Sequence, residues 1–133
     1  MEHSDEEWKT LLTPDQFAVL RERATEAPYS GELLYNDEDG TYSCAACGTQ
    51  LFASQHKFEA GCGWPSFYNV IGNQAVILKE DRTQGMQRIE VLCKNCGGHL
   101  GHVFNDAPDQ PTGMRFCINS VALNFKSEPL VKE

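Results

Sequence analysis

Apolar positions along the chain fall into two regimes, a helical one up to residue 27 and an extended one beyond it. In the first, Trp8, Leu11 and Leu12 fit one stripe of a short helix. Thr13-Pro14-Asp15-Gln16 then restarts the helix, with Thr13 as N-cap, Pro14 at the first helical position and Gln16 closing a capping box. Phe17, Leu20 and Ala24 would face inward, and Pro28 ends the run. Beyond Gly31 the apolar runs are short. Residues 32–35 and 41–44 flank Asn36-Asp-Glu-Asp-Gly40 as a hairpin with a long loop, 75–79 and 86–93 read as strands joined by the polar 80–85, and another strand begins within 96–104. Leu51-Phe52 is apolar, 54–59 is a polar connection carrying Phe58, and 114–125 is the last apolar run, read as one strand. Gly61-Cys-Gly-Trp-Pro-Ser-Phe67 is interrupted by two glycines and a proline and reads as a loop. The sum is a mainly β fold with antiparallel pairing, in one domain: a helical arm over 1–27, a β domain over 28–125 and a tail over 126–133.

Composition changes this picture little. The 133 residues carry a formal net charge of -8 and a pI near 4.9, which disfavours nucleic acid and anionic membrane surfaces as partners. No apolar stretch is long enough to span a bilayer. The opening residues, Met1-Glu-His-Ser-Asp-Glu-Glu7, have no apolar h-region, so a cytoplasmic location is expected, and a monomer with it.

Six cysteines do change it. Cys44-Ala-Ala-Cys47 and Cys93-Lys-Asn-Cys96 are two C-x-x-C pairs at strand ends, and a glycine follows each, letting the backbone turn under a metal. Thiolates are soft ligands that suit tetrahedral Zn²⁺, and two such knuckles supply four of them. The expectation is one structural Zn²⁺ ion with a closed coordination sphere, stapling the early hairpin to the late sheet. Two redox-active dithiols, an iron site, or a mixed site in which His99 or His102 replaces a cysteine are the alternatives.

Cys62 and Cys117 remain as singles. In 114–125 read as a strand, Arg115, Cys117 and Asn119 project from one face, followed by Val121, Leu123 and Phe125 as core material. A fixed cation beside a thiol favours the thiolate, which is the nucleophile; the bland reading of Cys117 is a small core hydrophobe. His99 and His102 sit beside glycines near the second knuckle. A three-residue step along a straight strand would put them on opposite faces, and Gly101 permits the bulge that brings both to one side. Asp106 could orient one imidazole from behind, or be a surface-loop aspartate. Trp64, next to Cys62, offers a wall for a small apolar pocket, while Phe67 packs inward or adds to that wall. Two readings other than an enzyme of known type stay open on these residues: a zinc-stapled β binding module with an aromatic ligand pocket, and a peroxide-sensing dithiol protein.

Across 28–125 the chain resembles the B-type methionine sulfoxide reductases, which act on the R epimer. The resemblance rests on Cys44-x-x-Cys47, Gly61-Cys-Gly-Trp-Pro-Ser-Phe67, Gly85-Met-Gln-Arg-Ile-Glu90, Cys93-x-x-Cys96, His99-Leu-Gly-His-Val-Phe104 and Arg115-Phe-Cys-Ile-Asn-Ser120, in the family's order. It implies two antiparallel sheets in a small barrel-like or tent-like fold, N-terminal helices, and zinc held opposite the active site. It implies further that Cys117 attacks the sulfoxide sulfur and that Cys62 resolves the product as a Cys62–Cys117 disulfide. His99, His102, Arg115 and Asn119 would line the site, with Trp64 against the substrate methyl. Oxidised proteins or peptides would be the substrates and thioredoxin the reductant.

Overall fold

The computed structural model describes residues 4–71, 75–82 and 88–127. Reciprocal capping starts both helices of the arm. In α1 (Asp5–Leu11) the Ser4 hydroxyl accepts from Glu7 N–H and the Glu7 carboxylate from Ser4 N–H; in α2 (Pro14–Glu22) Thr13 and Gln16 do the same, as the sequence predicts. Trp8 and Leu12 are buried, but Leu11 is 60% exposed. The α1 helix stops at Leu11, and Leu12 leaves it in extended backbone, so residue 12 rather than 11 turns to the core. The α2 helix ends at Glu22, well short of Pro28, because Arg23 takes a left-handed conformation (φ 61°) and Ala24 N–H closes back on Ala18 O at 2.9 Å.

The strands are β1 (Gly40–Cys44), β2 (Gln50–Ala53), β3 (Lys57–Phe58), β4 (Ser66–Phe67), β5 (Val76–Asp81), β6 (Arg88–Cys93), β7 (His99–Phe104), β8 (Arg115–Ile118) and β9 (Leu123–Ser127). They form two antiparallel sheets, one ordered β2-β1-β9 and the other β3-β4-β8-β7-β6-β5. The mainly β, two-sheet expectation holds, though neither strand order closes on itself and barrel-like is a loose description. One core joins the sheets to the arm: Trp8 and Leu20 from the helices meet Tyr42, Phe52, Leu100 and Ile118. Among the described residues no helix is long and apolar enough to cross a membrane.

Several segments differ from the sequence reading. The expected 32–35 strand is a turn, and β1 pairs instead with β2 and β9. Its loop partner, 36–39, is too polar and too long to fix a register. The run 114–125 is two strands in different sheets. Strand β8 ends at Ile118, a 3₁₀ turn (Ser120–Ala122) reverses the parity of the side chains, and β9 begins at Leu123. Phe116 and Ile118 therefore form the buried face of β8, and Cys117 points the other way, half-buried. The glycine-rich segment recovers pairing at its end, where Ser66 and Phe67 join β3 to β8. The β5 strand runs on to Asp81, and Lys126 and Ser127 belong to β9 rather than to a tail. The stretch 83–87, with the start of the expected 86–93 strand, and the tail 128–133 lie outside the described residues.

Candidate active site and metal centre

The four cysteines of the two knuckles come together. Their Sγ atoms all lie within 4.8 Å of one another, with Cys44–Cys96 at 3.7 Å and Cys47–Cys93 at 3.5 Å. A tetrahedral ion with metal–sulfur bonds of about 2.3 Å needs sulfur–sulfur edges of about 3.8 Å, so the four sulfurs are positioned to hold one metal ion. Each turn is closed by a glycine at positive φ, Gly48 (82°) and Gly97 (76°), whose N–H bonds back to Cys44 O and Cys93 O. The Cys93 thiol is drawn down to about 2, chiefly by its hydrogen bond with Cys44, and Cys44 is raised by the same contact and by Cys96. Neither histidine is in the cluster, which removes the mixed His/Cys site from consideration.

Cys117 is held in the middle of the large sheet, opposite His102 of β7 on one side and Ser66 of β4 on the other. Its Sγ lies 3.0 Å from that of Cys62. Cys62 reaches this position from the turn 61–63, which Tyr29 ties down twice: Tyr29 N–H donates to Gly63 O (2.7 Å) and its hydroxyl to Gly61 O (3.0 Å). The guanidinium of Arg115 donates to Cys117 Sγ at 3.4 Å, while Cys62 Sγ is 3.3 Å from the Ser66 hydroxyl. The two thiols share charge. Hydrogen bonding with Cys117 draws Cys62 down to about 5, with help from Ser66, the Trp64 backbone and Arg115. The same contact, together with burial, raises Cys117. The pair thus loses its first proton readily and its second with difficulty, and rests as a monoanion spread over two sulfurs beside a fixed cation.

The imidazoles close the other side. Strand β7 shifts register against β6 between Gly101 and His99, making Leu100 the extra residue, and the rings of His99 and His102 stand 5.5 Å apart edge to face. The bulge expected from the sequence is present, but Gly101 serves a second purpose. A Cβ there would lie 2.1 Å from Cys117 O, so only glycine lets β7 approach the Cys117 backbone.

Behind the rings stand two carboxylates that the sequence reading did not identify. His99 Nδ1 is 2.7 Å from Glu90 Oε2, and His102 Nε2 is 2.8 Å from Asp81 Oδ2; both carboxylates are almost fully buried. Burial pushes His99 below the usual imidazole value, against the pull of Glu90. Asp106, expected in this position, instead makes a two-pronged pair with Arg115 (3.0 and 2.9 Å) and orients the guanidinium toward the thiols. Its loop follows β7 and precedes β8. The available signal for Glu90 was a charged residue inside the apolar run Ile89-Glu-Val-Leu92, next to the buried Val91.

Asn119 is 3% exposed and fully engaged. Its backbone and side-chain N–H groups both donate to Leu100 O (2.9 Å), and its Oδ1 accepts from Glu26 N–H (2.9 Å). It braces the bulge beside His99. Trp64 is held by an indole hydrogen bond to Glu26 O (3.0 Å) and walls a cleft of about 30 Å³ with Tyr29, Phe58, Gly61 and Ser66. Phe67 is not part of that wall: it is fully buried, stacked on Phe52 with ring centroids 4.4 Å apart, and packs inward beneath it.

Fold and site together define a class: an antiparallel β protein stapled by a four-thiol metal centre, with a separate dithiol flanked by a guanidinium and two carboxylate-backed imidazoles. A SelR domain matches residues 12–127. The chain is 62% identical over 128 residues to the peptide methionine sulfoxide reductase MsrB of Methanosarcina barkeri, covering 96% of this chain and 89% of that protein. It is 59% identical to the protein of the same name from Methanosarcina mazei (96% and 91% covered) and 54% identical to that from Leptospira interrogans (94% and 95% covered). The chain belongs to the SelR domain family, that of the B-type methionine sulfoxide reductases.

Proposed function

We propose that this chain reduces methionine sulfoxide to methionine, acting on the R epimer in oxidised peptides and proteins, with Cys117 as nucleophile, Cys62 as resolving thiol and thioredoxin as reductant. Family membership supports the reaction class, and one observation carries the roles. Two free thiols stand 3.0 Å apart, with a guanidinium on one of them and an imidazole directly across the strand pair. Arg115, 3.4 Å from Cys117 Sγ, favours the form of the monoanion in which Cys62 keeps the proton and Cys117 the charge, and in that form Cys117 attacks the sulfoxide sulfur. The sulfur–oxygen bond breaks, the sulfoxide gains two electrons, and its oxygen ends with one proton on Cys117 as a sulfenic acid. Hydrogen bonds or a proton from His99 or His102 offset the charge that builds on that oxygen. The Cys62 thiol then attacks the Cys117 sulfur, a disulfide forms and water leaves. An external dithiol restores both thiols by exchange.

Trp64 and the small cleft beside it suit the S-methyl group, since a space of about 30 Å³ holds one small group. Cys44, Cys47, Cys93 and Cys96 would hold a structural Zn²⁺, which would anchor distant strands to one another.

The test is product and thiol counting with separated epimers. Wild type without reductant should release one methionine from the R epimer and lose two thiols. Cys62→Ser should release one methionine and stop; Cys117→Ser should release none. One methionine per enzyme from the Cys117 variant would reverse the two roles, and turnover of the S epimer alone would remove the epimer assignment.

A further inference from the structure

The arm α1–α2 reads from sequence as packing, yet the residue that caps α2 reaches the site. Arg23 Nε and one terminal nitrogen grip the two oxygens of Glu90 at 3.0 Å each, and the same terminal nitrogen stands 3.6 Å from Asp81 Oδ1. One guanidinium therefore spans both carboxylates that hold the two imidazoles. Glu90 Oε2 is shared between Arg23 Nε and His99 Nδ1. Such a fork is matched to carboxylate geometry in a way that a point charge is not.

We propose that Arg23 is a positioning residue: it clamps Glu90 and Asp81 so that they fix the ring orientation and the bonded nitrogen of His99 and His102. The inference rests on the reading above, that these rings serve sulfoxide reduction. Two further observations point the same way. Arg23 is a non-glycine residue held at φ 61°, a conformation glycine would adopt without cost, and strain of this kind marks positions where the side chain is needed. His99 Nε2 is buried with no hydrogen-bond partner, so fixing Nδ1 on Glu90 leaves one defined ring nitrogen free for a ligand.

The Arg23 side chain is half exposed but Glu90 is buried, so losing the guanidinium costs stability by leaving a buried carboxylate with fewer partners. The clamp also has an electrostatic role. The charged and titratable groups facing the two rings are Glu90 and Asp81, with Arg23 and Arg88 behind them, the neighbouring imidazole in each case, and Cys117 across from His102. Removing Arg23 leaves Arg88 as the remaining guanidinium on this carboxylate pair among the described residues, and His99 would then hold its proton to higher pH.

Arg23→Gly is the informative variant, since it removes the guanidinium while keeping the helix end in an unstrained conformation. Two readouts are needed: single-turnover methionine release from the R epimer, and side-chain ¹⁵N spectra of His99 across pH. Arg23→Gly should slow release by about tenfold or more with KM changed by less than about threefold. Its His99 midpoint should rise, and Arg23→Lys should fall between the variant and wild type. Wild-type release and wild-type His99 titration in Arg23→Gly overturn the clamp, as does slow release that tracks a loss of folded protein while the His99 spectra stay unchanged. Should wild type itself leave sulfoxide intact, the function proposed above falls, and the His99 spectra alone decide: an unshifted midpoint overturns the clamp.

Discussion

Cys62 and Cys117, separated by 55 residues in sequence, hold their sulfurs 3.0 Å apart across the edge of a short turn. The glycines around Cys62 suggest a loop that must swing to meet its partner; the structure has the meeting already made. Gly61 and Gly63 both have positive φ, Gly63 packs so closely on Pro28 that a Cβ would lie 2.7 Å from it, and Tyr29 holds both carbonyls. The glycines shape the turn.

Such proximity has a consequence for reactivity. Because the pair gives up its first proton near the value of about 5 carried by Cys62, a thiolate is present above that pH and is lost as the pH falls through it. Alkylation by iodoacetamide, followed by mass mapping of 62 and 117, should therefore stay fast at pH 6 and decline below about 5. Arg115→Met removes a cation that favours the charged form, so its midpoint should move up. A single midpoint above 8 in wild type would show that the sulfurs titrate independently.

Asp106 acts on the thiols only through Arg115, and its carboxylate is 53% exposed. Asp106→Asn should thus cost less than about 1 kcal/mol of stability, measured by urea denaturation. It should slow Cys117 chemistry by about fivefold through a less firmly aimed guanidinium, and leave the His99 titration where it is. A shift of the His99 titration would restore the reading in which Asp106 backs a ring.

Gly101→Ala tests the close approach of β7 to β8. The added Cβ would stand 2.1 Å from Cys117 O and 3.0 Å from Ile118 Cα, both backbone, so no side-chain rotation relieves the clash. A loss of about 3 kcal/mol or more is expected from chemical denaturation, with the strand that carries Cys117 displaced. Wild-type stability in this variant would mean that β7 and β8 can separate without penalty.

The sequence made the chemistry-bearing residue types legible and left their partners hidden. The C-x-x-C spacing carries the four-sulfur centre because both ligands of each pair are local, and the Thr13-Pro14-Asp15-Gln16 cap is legible for the same reason. Arg115 beside Cys117 is a two-residue relationship, and it holds. Glu90, Asp81 and Arg23 are different. Each meets its histidine or carboxylate across a sheet or from the end of a helix, with separations from 9 to 67 residues, and no local pattern encodes that. The 114–125 run misled because alternation was read through a 3₁₀ turn that resets it, so that Asn119, expected on the face of Cys117, is buried as a brace.

The metal centre gives the last prediction, one in which thiol count and stability change together. Cys44 and Cys93 are fully buried at the ends of β1 and β6, in different sheets, so a metal held by them would join the two sheets at that point. In the metal-loaded protein, only Cys62 and Cys117 of the six free cysteines should react with an aromatic disulfide reagent under native conditions; stripping the metal with a chelator should expose all six. The melting temperature should fall by about 10 °C or more on stripping, because a site absent from the unfolded chain turns its binding energy into folding energy. Cys93→Ser should show the same fall without chelator. Six reactive thiols in a freshly purified, metal-loaded sample, or a melting temperature indifferent to the chelator, would show that the four sulfurs are a dithiol pair and not an anchor.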